Sequence, residues 1–134
     1  MFDGTVLIWA DGGCERNGSV SAKAFGSYVL RAMKDGELVK ETRSHRQNYL
    51  QHHTNNAAEL QVIINALSAL TPGDYPVTVF SDSQLAVNVL TGAWSTNKPH
   101  LQALASEARD LIACFPQIEF VWTPRAEIVA VLGH

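Results

Sequence analysis

Three acids stand at points where a folded chain could expose bare carboxylates. Asp11 closes an apolar run and opens onto Gly12-Gly13, Glu59 lies early in a helical pattern, and Asp82 sits in Ser81-Asp82-Ser83 after a second apolar run. Singly, each has an ordinary reading. Asn56 with Glu59 three residues on has the form of a helix cap with its reciprocal acid. Asp11 and Asp82 suit turns or N-caps, and Ser83 strengthens that reading for Asp82. Brought together, the three have a different meaning. Converging carboxylates with few positive partners repel one another, and hard divalent cations such as Mg²⁺ relieve that repulsion. Two such ions roughly 4 Å apart activate an attacking water and stabilise the leaving oxygen of a phosphodiester. The chemistry implied is phosphoryl transfer to water.

The elements around these acids have to bring them to one place. Thr5 to Ala10 is a nearly continuous apolar run, which predicts a central strand covered on both faces, with Asp11 at its C-terminal tip. Residues 14 to 23 are polar and turn-rich. Asp35-Gly36 is the strongest hairpin signal, so Phe25–Met33 and Leu38–Tyr49 are expected as antiparallel strands, the second a polar edge strand. Leu60, Ile63, Ile64, Leu67 and Leu70 recur at the spacing of a helix with one buried face, over about Ala57–Leu70. Thr71-Pro72-Gly73-Asp74 stops it. Val77–Phe80 is a short strand, and the strand–helix–strand order predicts a crossover returning parallel to the first strand. Asp82 then reaches the same sheet end as Asp11, where open α/β sheets bind ligands. Gln84–Leu90 reads as a short helix, Leu101–Phe115 as a second amphipathic one preceded by Pro99, and Ile118–Trp122 as a last strand. After Pro124 there is no room for a long helix.

Totals exclude several function classes. The chain has 134 residues, 46% hydrophobic and 17% charged, as expected of a single soluble domain. No apolar run approaches the ~18 residues of a membrane span, and the N-terminus has no signal-peptide pattern, so a cytoplasmic protein is expected. Cys14 and Cys114 are far apart and suggest neither zinc site nor disulfide. Adjacent His52 and His53 diverge and read as a surface loop. The net charge of −3 argues against gripping nucleic acid by bulk electrostatics, although Lys40, Arg43 and Arg46 fall in one segment.

The segments Asp11-Gly12-Gly13-Cys14, Thr54-Asn55-Asn56-Ala57-Ala58-Glu59-Leu60 and Ser81-Asp82-Ser83-Gln84, in this order and spacing, resemble the three acidic motifs of type 1 ribonuclease H. Phe120-Val121-Trp122-Thr123-Pro124-Arg125 is similar to that family's last strand and the loop after it. The resemblance covers essentially the whole chain. It implies the ribonuclease H-like α/β fold, a mixed five-stranded sheet in the order 3-2-1-4-5 with helices on both faces. It implies a metal-dependent endonuclease hydrolysing the RNA strand of RNA–DNA hybrids, with Asp11, Glu59 and Asp82 as catalytic ligands for two Mg²⁺ or Mn²⁺ ions. Gly12, Cys14, Asn17, Asn55, Asn56 and Gln84 match positions that touch the RNA strand. Amides there can both donate to and accept from a 2′-hydroxyl, the group that tells RNA from DNA. Trp94 or its loop would lie beneath the DNA strand, unless it is a core tryptophan.

The sequence departs from the family pattern at its end. The family's fourth acid, an aspartate after the final strand, has no match; Glu127 is the one acid past Trp122 and follows Pro124-Arg125 too soon. The ending resembles the histidine-bearing loop cut short, with His134 as its histidine and the closing helix missing. One metal site should then be weaker. A basic insertion between Leu90 and Leu101 is also absent, so hybrid affinity is expected to come partly from a fused or partner domain, as in reverse transcriptases. A monomer is expected. Two other readings stand: a catalytically weak hybrid-binding domain, and a DNA-directed nuclease on the same scaffold. The asparagine pair before Glu59 and Gln84 after Asp82 favour RNA.

Overall fold

The computed structural model describes residues 2–133. The chain runs β1 (Thr5–Glu15), β2 (Lys23–Lys34), β3 (Glu37–Tyr49), α1 (Asn55–Ser68), β4 (Val77–Ser81), α2 (Gln84–Leu90), α3 (Pro99–Ile112), β5 (Ile118–Trp122) and α4 (Arg125–Leu132). The five strands form one sheet in the order β3-β2-β1-β4-β5. β1, β2 and β3 pair antiparallel, whereas β4 pairs parallel with both β1 and β5. The β2–β3 turn has positive φ at both Asp35 (53°) and Gly36 (78°), the requirement of a tight hairpin turn whose twist matches its strands. β3 is exposed along nearly its whole length, as a polar edge strand should be.

Strand alternation sends Val6, Ile8 and Ala10 into the main core with α1 and α3, while Trp9 faces the other side. There Trp9 stacks on Phe80 at 5.1 Å, and α4 brings Ile128 and Leu132 against Val29. Helices therefore cover both faces. The buried side of α1 is wider than its sequence spacing implied, since Ala58, Val62 and Ala66 are also buried. Two glycines on the strands explain how closely α1 lies. A Cβ on Gly26 would stand 2.8 Å from Val62 Cβ, and one on Gly12 would stand 2.5 Å from the Ala58 carbonyl carbon.

Two local expectations are corrected. β1 does not stop at Asp11: it runs on through Gly12, Gly13 and Cys14 to Glu15, because β2 continues to pair with it there (Gly12↔Gly26, Cys14↔Ala24). Only the parallel pairing with β4 ends early, at Ala10↔Ser81. Where the ending was expected to be a loop cut short, the residues after Pro124 form a helix of eight residues, α4, short as the remaining length requires and ended by Gly133 in the left-handed conformation. Among the described residues no helix is long and apolar enough to cross a membrane.

Candidate active site

The register Ala10↔Ser81 is what brings two of the acids level. Asp11 and Asp82 are each the next residue after the last parallel pair, so both stand at the carboxyl end of the β1–β4 parallel pairing. Glu59 reaches them from α1, drawn in by the close approach at Gly12. The three residues offer carboxylate oxygens that all lie within 4.8 Å of one another. Asp11 and Glu59 are each only 7% exposed.

Capping, the ordinary reading of these acids, is carried out by their neighbours. Thr54 is the N-cap of α1 and its hydroxyl accepts from the Ala57 amide at 3.2 Å. Asn56 is inside the helix, and Glu59 is past its first turn, so the Asn56–Glu59 capping pair does not form. Ser83 caps α2, its hydroxyl accepting from the Ala86 amide at 3.1 Å. Asp82, one residue earlier, is left to face the cleft.

The electrostatics of the cluster are unfavourable without a cation. Burial first, and then the charges of Asp11 and Asp82, push the Glu59 carboxyl well above the usual carboxylate range; a backbone hydrogen bond from Gly12 and the charge of Arg125 act in the opposite direction. Glu59 Oε2 is buried and has no hydrogen-bond partner. An orphaned buried carboxylate oxygen amid two further carboxylates is a donor set that suits a hard divalent cation.

Arg125, the first residue of α4, also enters the site. Its Nη1 donates to Asp82 Oδ2 at 3.2 Å and to Asp11 Oδ1 at 3.5 Å. The sequence placed it in the closing motif without a role here. The available signal was a cation just beyond the last parallel strand, at the same sheet edge as the acids. Two contacts set its position: the Thr123 amide donates to the Ser81 carbonyl at 2.8 Å, and Trp122 Nε1 donates to the Asp82 carbonyl at 3.1 Å.

The acids open into a cleft of about 410 Å³, lined also by Gly12, Gly13, Phe25, Asn55, Asn56, Ser83 and Arg125. Of the residues expected to touch a substrate, Gly12, Asn55 and Asn56 are therefore at the cleft. Asn17 lines an adjoining depression with Asn55, Asn56 and Lys98, and its Oδ1 accepts from the Asn55 amide at 2.8 Å. Cys14 and Gln84 line neither; Cys14 is half-buried on β1, and Gln84 is exposed at the start of α2. Glu127 is not part of the acid cluster, and His134 lies outside the described residues. Trp94 is 49% exposed in its loop and not a core residue.

A β3-β2-β1-β4-β5 sheet with three carboxylates gathered at the edge of β1 and β4 defines a ribonuclease H-like protein. The family described as reverse transcriptase-like matches residues 11–131, and the chain belongs to that family. It is 40% identical over 124 residues to ribonuclease HI of Halobacterium salinarum, covering 92% of this chain and 58% of that protein. It is 31% identical over 122 residues to the bifunctional protein Rv2228c of Mycobacterium tuberculosis, covering 90% of this chain and 32% of that one. The chain thus spans about a third of Rv2228c and under three fifths of the archaeal enzyme. The solved N-terminal RNase H domain of Rv2228c superposes with a TM-score of 0.78 at 29% identity, covering 96% of this chain and 88% of that one.

Proposed function

We propose that this chain is a metal-dependent endonuclease that hydrolyses the RNA strand of RNA–DNA hybrids. The observation that carries the reading is the convergence of Asp11, Glu59 and Asp82 within 4.8 Å, with one buried oxygen of Glu59 left unpartnered. Bound there, two Mg²⁺ or Mn²⁺ ions would activate the attacking water and stabilise the leaving oxygen. The rest is the work of the chain itself. Asp11 stands in β1 one residue past its last pair with β4, Asp82 directly follows β4, and Glu59 closes the third side from α1. Asn55 and Asn56 present amides on the same cleft, suited to both donating to and accepting from a ribose 2′-hydroxyl. The name of the archaeal relative, ribonuclease HI, supports the same substrate class.

All three acids and both amides come from one chain, so a monomer suffices. With a net charge of −3, hybrid affinity would be modest, and a fused or partner domain would add to it. The test is cleavage of a strand-labelled hybrid in Mg²⁺ or Mn²⁺ beside duplex RNA and duplex DNA, with Asp82→Asn as control. Cleavage of the RNA strand in the hybrid alone, lost in the variant, is the expected result; cleavage of duplex DNA instead would assign the scaffold to DNA chemistry. A second reading, a hybrid-binding domain of low activity, is favoured by one observation: among the described residues the cluster has only three acids, and Arg125 already neutralises part of their charge. Hybrid binding with no cleavage in either metal would establish it.

A further inference from the structure

We propose that Arg125 is a built-in counter-ion that competes with divalent cations for the Asp11–Asp82 side of the cluster; this rests on the metal-binding reading above. One guanidinium nitrogen lies 3.5 Å from Asp11 Oδ1 and 3.2 Å from Asp82 Oδ2, so a single group spans two of the three acids. The third is left out: Glu59 Oε2 remains unpartnered and buried. The cluster therefore has two unlike sides, one already holding a fixed positive charge and one holding none.

The geometry allows that charge to leave. The Arg125 side chain is 65% exposed, whereas the acids it touches are 8% and 15% exposed. Its backbone is held, because Ile128 and Leu132 pin α4 under the sheet and Thr123 is tied to Ser81. Displacement needs only side-chain rotation toward solvent. A cation binding beside Glu59 need not move the guanidinium, but one binding between Asp11 and Asp82 must displace it, and the work of breaking two charge-assisted contacts is subtracted from its affinity. The chain would thus take up its first divalent ion more readily than its second.

The test is divalent binding by the free protein, titrated with Mn²⁺ and separately Mg²⁺ by calorimetry, with tryptophan emission as a second readout because Trp122 donates to the Asp82 carbonyl. Wild type is compared with Arg125→Gln, Arg125→Ala and Arg125→Lys, and each is also melted in EDTA and in saturating metal. Loss of a partly exposed cation should tighten the weaker site roughly fivefold to tenfold in the Gln and Ala variants. Lys, which keeps the charge, should stay near wild type. Melting in EDTA should fall in the neutral variants, while the rise on adding metal becomes larger. Unchanged or weakened metal affinity in the neutral variants overturns the proposal. So does an equal loss of melting temperature with and without metal, the mark of a purely structural arginine. If no protein in the series binds either metal, the metal-binding reading falls as well, whereas equal binding by all four removes only the role of Arg125.

Discussion

Gly12 lies against the start of α1 so closely that a Cβ built on it would stand 2.6 Å from the Glu59 backbone nitrogen. The contact is with main chain, which cannot rotate away as a side-chain tip could. Gly12→Ala must therefore push α1 off β1 and carry Glu59 away from Asp11. We expect a loss of about 1–3 kcal/mol, the range for overpacking a tight contact, together with loss of metal binding. Chemical denaturation and metal titration of the variant check both.

Acids and caps should separate cleanly under mutation. Thr54→Ala and Ser83→Ala each remove an N-cap hydroxyl and should cost about 1 kcal/mol of stability. Asp82→Asn caps nothing and relieves repulsion within the cluster, though it also weakens an ion pair to Arg125. Its stability should stay within about 0.5 kcal/mol of wild type, as for partly exposed pairs, while hybrid cleavage falls by roughly 100-fold or more. Melting curves beside initial rates distinguish the two classes of residue.

The raised Glu59 carboxyl predicts the pH dependence of the metal-free protein. At low pH the group is protonated both folded and unfolded and contributes nothing. As pH rises above its ordinary value of about 4.3, the unfolded chain releases the proton while the folded one retains it, being held up chiefly by burial and then by Asp11 and Asp82. The unfolded state then binds fewer protons, so this group makes stability fall with increasing pH until the folded carboxyl also ionises. Denaturation in EDTA across that window should show the decline, and Glu59→Gln should flatten it. Divalent metal should offset it.

Ile128 is fully buried against the sheet face opposite α1 and anchors α4. Ile128→Ala should cost about 2–5 kcal/mol through lost packing and the cavity left behind. It should also loosen Arg125 from the acids, so its metal affinity should move in the same direction as in Arg125→Ala. A stability loss with no change in metal affinity would show that the ties of Thr123 to Ser81 and Trp122 to Asp82 place Arg125 without the packing of α4.

Much of this arrangement was legible one segment at a time. The i, i+3, i+4 recurrence from Leu60 to Leu67 marked the helix, Asp35-Gly36 marked the hairpin, and the apolar runs before Asp11 and Asp82 marked strands whose ends would align if they paired in parallel. The division of labour among neighbouring polar residues was less legible. Asn56 and Glu59 suited a helix start, and that the cap falls to Thr54 instead depended on where the backbone turned into the helix. The continuation of β1 beyond Asp11 was equally hidden, since two glycines suggest a turn until a partner strand supplies hydrogen bonds to them.

By itself the sequence determined the kinds of element, their order and which carboxylates were available, because periodicity and turn chemistry act over a few residues. Only the tertiary structure decided that Arg125 meets Asp11 across 114 positions of chain, and that Glu59 is buried with one oxygen unpartnered. Those facts follow from strand register and from how closely a helix approaches a glycine, and both are settled by packing the whole sheet at once.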